Sequence, residues 1–252
     1  MSTKDMRRRR GRRDRSPIWT RPQPGARQPK LTRDQIAALA LAIADAEGFE
    51  AVSMRRLATD LDVGTMTLYY YVRTKDDLLA LMDDTLMGEV LVPPAEMPRG
   101  WRAGLTAIAH RNHATFLRHP WAMRGLEGAR MGGPNGMRHV EQSLGAVADL
   151  ALPLAERIGV IAIVDDYVFG HILRASDPGM AGADAPTISA IVKFTRTQLA
   201  TGEYPQLVTL IGDDDPAIAF AKFGRWMSSE ARFQLGLEAL LDGIAQRVKK
   251  KR

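Results

Sequence analysis

The chain has 252 residues, of which 45% are hydrophobic, and a formal net charge of +6 at pH 7. That length suits one large domain or two modest ones. The chain contains no cysteine, which excludes disulfides, thiolate catalysis and cysteine-ligated metals. No stretch approaches the ~18 uninterrupted apolar residues of a membrane span, and the basic N-terminus lacks the apolar core of a secretory signal. We therefore expect a cytoplasmic protein.

The positive charge is concentrated at the N-terminus. Residues 1–30 contain eleven Lys and Arg against two Asp, a formal charge of +9, so the remaining residues carry −3. The segment is also rich in proline and poor in aliphatic residues, which predicts a disordered Arg-rich arm over residues 1–30. Such an arm either contacts nucleic-acid phosphates without reading sequence or is a solvated extension with no role.

Two helices are predicted between residues 31 and 61. Thr32 is the N-cap of the first, apolar residues then recur at helical spacing, and Gly48 ends it. Ser53 is the N-cap of the second, which has two turns.

A third and a fourth helix follow the turn "DVG" at residues 62–64. The third, residues 65–72, is very short and Thr65 is its expected N-cap, whereas the fourth, residues 74–90, ends before Pro93. Two short helices joined by a tight turn, after a longer helix, form the helix-turn-helix arrangement that places its second helix in the DNA major groove.

The rest of the sequence also indicates helices, without strand alternation, so the predicted fold class is all-α. Clusters of Gly and Pro separate the segments. We predict a helix-turn-helix domain over residues 31–90, a helical domain over 91–248 and a basic tail over 249–252. The helices expected in the second domain are 100–118, 123–128, 137–151, 154–175, 186–201 and 228–248.

The stretch from Thr32 to Val90 resembles the DNA-binding domain of the tetracycline-repressor (TetR) family of one-component transcription regulators. The resemblance lies in "AEGFEAVSMRRLATDLDVGTMTLYYYVRTKDDLLALM", residues 46–82. One departure is Asp62, where the family commonly has Gly in the turn, so we expect slight strain there. The part from Trp101 onward resembles more loosely the all-helical ligand-binding and dimerisation domain of the tetracycline repressors.

This resemblance implies DNA contact at eight positions in and around the third helix. They are Ser53, Arg55, Thr65, Met66, Thr67, Tyr69, Tyr71 and Lys75. A helical wheel places Leu68 and Val72 on the inward face and Tyr70 nearly opposite, so Tyr70 is a further candidate. Arg suits guanine or phosphate, Thr suits a thymine methyl, and Tyr hydroxyls reach phosphates. The alternative is that one or two tyrosines, Tyr69 in particular, only cover the core.

The helical domain is expected to bind a small-molecule inducer of unknown identity, and no cofactor is expected. Ligand pockets are mostly apolar with few polar groups, so side chains of that kind are candidates. They are His110, His113, Phe116, Trp121, Met123, Met131, His139, Tyr167 and His171. Any single one is also an ordinary core or surface residue in the simpler interpretation. His110 and His113 lie on adjacent turns and are a metal-binding alternative, although no third ligand is near in sequence.

The resemblance also implies a homodimer, in which two helices per subunit form a four-helix bundle. The helices at residues 154–175 and 228–248 fit this role. Their apolar faces comprise Ile158, Ile161, Ala162, Asp165, Phe169 and Ile172, with Phe233, Leu237, Leu240, Leu241 and Ile244. A buried Asp165 needs a partner.

Together these features predict a ligand-responsive repressor that binds double-stranded operator DNA as a homodimer and is released by an inducer. The fourth helix is the expected coupling element because it joins the two halves of the chain. One alternative is a non-specific DNA-binding protein that uses its Arg-rich arm. A second is an enzyme with His and Asp165 or Asp166 as acid-base groups, although no catalytic motif supports it. The sequence does not distinguish repression from activation.

Overall fold

The structure is a computed structural model that describes residues 16–22, 31–125, 132–177 and 182–249. Every regular element within these ranges is helical, which confirms the all-α prediction. None of the described helices is long and apolar enough to cross a membrane. The chain forms two compact units, the first from residues 1–91 and 121–142 and the second from residues 92–120 and 143–252. Residues 121–142 thus group with the helix-turn-helix, whereas the sequence assigned them to the second domain.

Helix α1, Arg33–Glu47, forms the support of the first unit. Thr32 Oγ1 accepts a hydrogen bond from the Gln35 amide, and Gln35 Oε1 accepts one from the Thr32 amide, which completes a capping box. Ile36 and Ala40 are fully buried on its inner face. Gly48 ends the helix with a φ of 89°, a conformation that favours glycine.

Helices α2, Met54–Asp60, and α3, Thr65–Tyr71, form the helix-turn-helix. At the end of α2 the Val63 amide donates to the Ala58 carbonyl and the Asp62 amide donates to the Thr59 carbonyl. These two bonds form a Schellman motif in which Asp62 has a φ of 51°. The strained turn expected at Asp62 is therefore present.

Helix α4, Lys75–Val90, follows a side-chain cap in which Thr74 Oγ1 accepts from the Asp77 amide at 3.0 Å. Its residues Leu78, Met82 and Leu86 are buried, and α4 packs against α1. The caps predicted at Thr32 and Ser53 are thus confirmed, whereas the cap predicted at Thr65 is wrong. Thr74, predicted as the first residue of the fourth helix, is its N-cap. Gly64 is the N-cap of α3 and no side chain bonds to the first amides.

The remaining elements of the first unit are α6, Ala122–Gly125, and most of α7, Pro134–Ala146. Helix α7 starts three residues before the predicted position. Asp84 Oδ1 accepts from the amides of Asn135 and Gly136 at 2.8 and 3.0 Å, so a carboxylate from α4 satisfies the first turn. This distant partner gave no signal in the local sequence.

The second unit contains α5, Trp101–Arg118, which packs against α8, Leu154–Ala175, and α12, Glu230–Lys249, which also packs against α8. Between α8 and α12 lie α9, Ala185–Leu199, α10, Pro205–Ile211, and α11, Pro216–Met227. Helices α10 and α11 are not among the predicted segments, because the Gly and Pro residues between positions 212 and 216 indicate a break in the sequence pattern. Both helices begin with Pro, which suits the first helical turn.

The predicted disorder of residues 1–30 is wrong for residues 16–22. This segment, which we call the anchor segment, contains a 3-10 turn at Ile18–Thr20, and the Ile18 side chain is buried. Ile18 and Trp19 are the large apolar residues of this part of the chain, and burying one of them offsets the entropy of ordering a short segment. Residues 1–15 and 23–30 lie outside the described residues.

The apolar face predicted for dimerisation on α12 is also wrong. Phe233, Leu237, Leu241 and Ile244 are buried within the single subunit, and so is Ile172 on α8. Of the face predicted on α8, Ile158 and Ala162 remain exposed. The other large apolar side chains exposed on these two helices are Leu154, Ile163, Leu173 and Leu235. The helical period was correct, but it could not tell which of two apolar faces packs inside the subunit.

We predict that Asp62→Gly stabilises the protein by about 1 kcal/mol, because a non-glycine residue with positive φ costs roughly that much. The corresponding rise in Tm is about 2–4 °C for a protein of this size. Thermal unfolding followed by circular dichroism measures it. Thr59→Gly, in the right-handed last turn of α2, is the control and should lower Tm. A lower Tm for Asp62→Gly would show that the Asp62 side chain stabilises the turn.

Candidate DNA-binding surface and helical-unit cluster

The short helix α3 has one buried side and one exposed side. Leu68 and the adjoining Val72 have no exposed surface, whereas Met66 is 81% and Tyr70 is 64% exposed. Tyr69 is intermediate between these extremes at 40%. The helix therefore presents a wide outward surface that carries large side chains.

Tyr71 does not belong to this outward surface. Its side chain is only 9% exposed, and its ring meets the Tyr70 ring edge-on at 5.7 Å. Tyr71 follows Leu68 by three positions, so the two side chains lie on the same side of the helix. The predicted DNA contact at Tyr71 is therefore corrected, because its ring packs in the core. Tyr69, suspected as a core residue, is exposed instead.

The other predicted DNA-binding residues are all exposed. They are Ser53, Arg55, Thr65, Thr67 and Lys75. The Ser53 hydroxyl already accepts a hydrogen bond from the Arg56 amide at 3.2 Å. It can still donate its own hydrogen to a phosphate, since a hydroxyl is both donor and acceptor.

The two neighbouring arginines of α2 have different environments. Arg56 forms a bidentate ion pair with Glu47, with distances of 2.7 and 2.9 Å, and its Nε lies 2.7 Å from Asp60 Oδ2. These carboxylates raise the pKa of Arg56, and the bond to Arg56 lowers the pKa of Glu47. Arg55 makes no ion pair with any residue that the structure describes. Arg55 is therefore the arginine available to a ligand, while Arg56 ties α2 to α1.

Lys75, at the start of α4, lies over the ring of Phe49, with Nζ 5.7 Å from the centroid. Phe49 in turn stacks on Trp121 at 5.8 Å, and Trp121 Nε1 donates to Asp45 Oδ1 at 2.7 Å. Trp121 therefore packs in the first unit with α1 and the residues that follow it. This corrects its assignment to a ligand pocket in the helical domain. Nothing in the local sequence indicated a contact across 76 positions.

The second unit contains a cluster of rings, which we call the His–Phe cluster: His110, His113, Tyr167, His171 and Phe233. His113 Nε2 lies 3.0 Å from His171 Nδ1, and the His113 ring stacks on Phe233 with a centroid distance of 3.8 Å. His110 meets Phe233 edge-on at 5.4 Å, and Tyr167 stacks on it at 5.7 Å. The Tyr167 hydroxyl donates to the Phe233 carbonyl at 2.7 Å. Four of the predicted ligand residues thus meet around Phe233.

Burial dominates the electrostatics of this cluster. It lowers the pKa of His113 to about 4, helped by His110, and it lowers the pKa of His171 to about 4, helped by His113. Both rings are therefore neutral at pH 7, and one of the two facing nitrogens must carry the hydrogen of their bond. The Nε2 atom of His171 is buried and makes no hydrogen bond of ordinary geometry among the described residues, although a backbone interaction with Ser229 opposes the lowering of the His171 pKa. Glu230 approaches His113 Nδ1 to 3.4 Å from α12.

The other predicted ligand residues lie elsewhere. Phe116 packs against Phe169 at 5.5 Å in the second unit. His139 belongs to the first unit, where burial lowers its pKa. Met131 lies outside the described residues. Within the described ranges no three His, Cys, Asp or Glu side chains are grouped as a metal site would need.

Sequence reasoning missed Phe233 and Glu230 as members of the cluster. The helical spacing of Phe233 predicts a place on the apolar dimer face, and no local pattern singles out Glu230. Their sequence separation from His113 exceeds a hundred residues, so only tertiary packing brings them together.

An all-α chain with an exposed recognition helix, followed by a helical unit, defines a helix-turn-helix DNA-binding protein. Residues 36–82 match the family described as "Bacterial regulatory proteins, tetR family", and residues 93–248 match "Tetracyclin repressor-like, C-terminal domain". The chain belongs to the TetR family of bacterial transcriptional regulators.

Individual relatives agree with this assignment. The HTH-type transcriptional repressor DrrR1 of Streptomyces coeruleorubidus is 34% identical over 242 residues, which cover 93% of this chain and 86% of DrrR1. An HTH-type transcriptional regulator of Saccharopolyspora erythraea is 31% identical, covering 90% of this chain and 91% of that protein. The crystal structure of apo ActR from Streptomyces coelicolor matches with a TM-score of 0.68 at 28% identity, covering 89% of this chain and all of ActR.

The lowered pKa values of His113 and His171 give a stability that depends on pH. The unfolded chain protonates these groups below about pH 6.5, whereas the folded protein keeps them neutral down to about pH 4. The unfolded state therefore binds more protons in this interval, and the free energy of unfolding decreases as pH falls from 6.5 toward 4. Above pH 6.5 the contribution is complete.

We predict that Tm falls less between pH 7.5 and 5.0 in His171→Asn than in the wild type, because the variant loses one of these buried imidazoles. His110→Asn, at a more exposed position, is the matched control: it removes only the smaller cause of the lowered His113 pKa, so its Tm should fall nearly as much as that of the wild type. Burial and Asp166 raise the pKa of Asp165 to about 6, so Asp165 stabilises the folded protein as pH falls. This effect is present in all three proteins and cancels when they are compared. Equal decreases in all three would contradict the prediction.

Proposed function

We propose that the protein is a ligand-responsive repressor that binds a palindromic operator as a homodimer and is released by a small-molecule inducer. The observation that carries this proposal is the outward surface of α3, where Met66, Tyr69 and Tyr70 are exposed while Leu68 is buried. Soluble domains normally bury side chains of this size unless a partner covers them. In a helix-turn-helix, that partner is the DNA major groove.

Each exposed side chain has a role that its chemistry supports. Arg55 can form a bidentate contact with guanine or a phosphate. Thr67 and Met66 offer apolar contacts to thymine methyl groups, while the hydroxyls of Tyr69 and Tyr70 reach phosphates. Lys75 offers a charge to the backbone. The backbone amides beside it already have partners, since Thr74 Oγ1 accepts from the Asp77 amide and Asp77 Oδ2 accepts from the Arg73 amide.

Dimerisation is proposed through the exposed apolar side chains of α8 and α12. Leu154, Ile158 and Ile163 on α8 and Leu235 on α12 are each about half exposed or more in the single subunit. Ala162 on α8 and Ala239 on α12 are exposed small residues that allow a second helix to approach closely. A two-fold axis through these faces pairs two recognition helices with two half-sites.

The inducer site is proposed in the helical unit at the His–Phe cluster. ActR, at 29% identity, has been solved in complex with actinorhodin and with (S)-DNPA. In this chain the stacked rings and the His171 Nε2 atom offer an aromatic wall with one polar group. An inducer must bind more tightly to the conformation that binds DNA poorly, since equal affinity for both shifts nothing. Helix α4 is the proposed coupling element, because the chain passes through it from α3 to the second unit.

Two other functions receive less support. Non-specific DNA binding through the arm does not explain why α3 exposes large side chains on its outward surface. An enzymatic function has no support from the family, whose members are transcriptional regulators. We infer that the protein is not an enzyme.

We predict that a duplex from the DNA upstream of the gene binds at least ~10³ times more tightly than a scrambled duplex at matched salt. Arg55→Ala and Tyr70→Ala should each weaken this specific binding by about tenfold or more, since a specific contact is worth roughly 1–3 kcal/mol. Fluorescence anisotropy measures the affinities, and sedimentation should find an even number of chains per duplex.

Two controls accompany this measurement. Arg225→Ala makes the same charge change on α11 of the second unit and should leave the affinity unchanged. Tyr71→Ala removes a buried ring and should lower Tm by several degrees, whereas Tyr70→Ala should not. Equal affinity of the wild type for both duplexes would disprove the repressor proposal.

We also predict that actinorhodin, used as the first probe, raises Tm and releases the upstream duplex at the same concentrations, because a ligand of the folded state stabilises it by mass action. His171→Ala, which removes the polar group of the cluster, should reduce both effects, and His139→Ala, in the other unit, should not. Binding that leaves the DNA affinity unchanged would contradict the inducer proposal. The absence of any Tm shift would show that the chain does not share this ligand with ActR.

A further inference from the structure

The C-terminal end of the recognition helix α3 is held by two side chains from neighbouring helices of the first unit. Arg33, at the start of α1, donates from Nε to the carbonyl of Tyr71, the last residue of α3, at 3.4 Å. Asp77, in the first turn of α4, accepts from the Arg73 amide through Oδ2 at 2.9 Å. The opposite end of α3 has no side-chain cap, since its N-cap is Gly64. These two contacts therefore help to fix where the last turn of α3 lies.

The anchor segment supplies the other partners of Arg33. Nη1 of Arg33 donates to the carbonyls of Ile18 and Arg21 at 3.1 and 3.3 Å. Its Nη2 lies 3.5 Å from the Pro22 carbonyl. Arg33 is buried, and burial and the neighbouring Arg21 lower its pKa. Buried donors need partners, so the carbonyls of the anchor segment hold the guanidinium in the orientation that reaches Tyr71.

Arg21 of the anchor segment also pairs with Asp77. The Arg21 guanidinium bonds to Asp77 Oδ1, while Asp77 Oδ2 holds the Arg73 amide. Both side chains of this ion pair are more than nine-tenths buried. Loss of either partner would leave a buried charge without compensation, so each group keeps the other in place. The anchor segment thus supports both of the side chains that hold the C-terminal end of α3.

The anchor segment is itself fixed by an apolar contact and a closed turn. The Ile18 side chain is almost completely buried. The amides of Thr20 and Arg21 donate to the carbonyls of Pro17 and Ile18. The Ile18 carbonyl, which Arg33 contacts, belongs to the same residue as the buried side chain. Releasing that side chain therefore also displaces an acceptor of Arg33.

The last turn of α3 carries two of the exposed side chains that are proposed to contact DNA. Tyr69 and Tyr70 lie one and two residues before Tyr71, whose carbonyl Arg33 holds. A shift or fraying of this turn therefore moves both phenol hydroxyls. Arg55 differs, because it lies on α2, whose first turn is capped separately by Ser53. Phosphate contacts fix the orientation of a recognition helix in the groove, so their displacement weakens sequence-specific binding.

We propose that the anchor segment is a positioning element for the recognition helix: through Arg33 and Asp77 it fixes the last turn of α3 and thereby the placement of its exposed tyrosines on DNA. Ile18 and Arg21 are the positioning residues. This inference rests on the proposed operator-binding function, and it adds residues outside the helix-turn-helix to those that determine specific affinity. The anchor segment acts through α3 and needs no DNA contact of its own.

The first test compares two duplexes with the full chain. Ile18→Ser releases the anchor segment without changing the charge, and Ile18→Val is its matched control. At matched salt, Ile18→Ser should weaken binding to the upstream duplex about tenfold, as the loss of one specific contact does. Binding to a scrambled duplex should change less than about twofold, because it depends on charge. Ile18→Val should match the wild type on both duplexes. An equal loss on both duplexes, or no loss on either, would overturn the positioning role.

A double-mutant cycle tests whether the anchor segment acts through the last turn of α3. Ile18→Ser is combined with Tyr70→Ala and, as the control, with Arg55→Ala. Its effect on the upstream duplex should be at least about threefold smaller in the Tyr70→Ala background than in the wild type, since a removed ring cannot be misplaced. The effect should be unchanged in the Arg55→Ala background. Equal effects in both backgrounds would contradict the proposed route.

Hydrogen exchange of the DNA-free protein, followed by NMR, gives a readout that does not depend on operator binding. The Val72 amide closes the last turn of α3 on the Leu68 carbonyl, and it should exchange at least about tenfold faster in Ile18→Ser. The Gly48 amide, bonded to the Ala44 carbonyl at the far end of α1, is the control and should keep its protection. Unchanged exchange at Val72, or equal acceleration at both amides, would overturn the proposal.

Circular dichroism establishes that each variant is folded. If the serine prevents folding, Arg21→Met, which breaks the ion pair with Asp77, is the second release variant, and Arg21→Lys, which keeps the charge, is its control. Both are read by the same ratio of affinities and by the same two amides. A wild-type protein that binds upstream and scrambled duplexes equally would refute the operator-binding proposal, whereas the exchange at Val72 tests the positioning of α3 separately.

Discussion

The recognition helix α3 has only seven residues, and this is the constraint on which the first unit depends. A helix of that length is not stable by itself in water. If its outward half is to remain exposed, the other half must supply the whole of its packing, and Leu68, Tyr71 and Val72 do so. The chain is also fixed on both sides of α3, by the Schellman turn at Asp62 and by the Thr74 cap. A rigid frame thus supports a surface that is itself unpacked.

The arginines of the first unit differ in their partners. Those with protein partners have a structural role, and the one without an ion pair is available for recognition. Arg33 donates to backbone carbonyls, Arg21 pairs with a buried carboxylate, and Arg56 is held by two carboxylates. Arg55 alone of this group points to solvent without an ion pair in the described part of the chain. Arg21 and Arg33 are buried, so turning either side chain toward DNA would leave its partners unpaired at a large free-energy cost. The ion pairs of Arg56 are more exposed and therefore weaker. The net charge of the first unit therefore overstates the number of its arginines that are available to contact DNA phosphates.

In the second unit the buried polar groups are neutral, in contrast to the charged arginines of the first unit. His113 and His171 are buried against Phe233 and Tyr167, and burial keeps both imidazoles neutral. A neutral pair that satisfies itself on one side and leaves His171 Nε2 without a hydrogen bond of ordinary geometry among the described residues is polar enough to orient a ligand. Because the surrounding rings are apolar, we propose that a ligand that displaces or completes this pair changes the packing of α5, α8 and α12 together.

The sequence by itself determined the local features of this protein. Helical periodicity and the caps at Thr32, Ser53 and Thr74 depend on residues within a few positions of one another, and so does the family pattern around "TLYYYV". The tertiary structure decided which of two adjacent tyrosines is exposed, and which apolar face of α12 packs inside the subunit. It also decided that Trp121 stacks on Phe49 and that the anchor segment is ordered by Asp77 and Arg33. These depend on partners that lie from 12 to more than a hundred positions away in the chain, and such partners leave no trace in a local pattern.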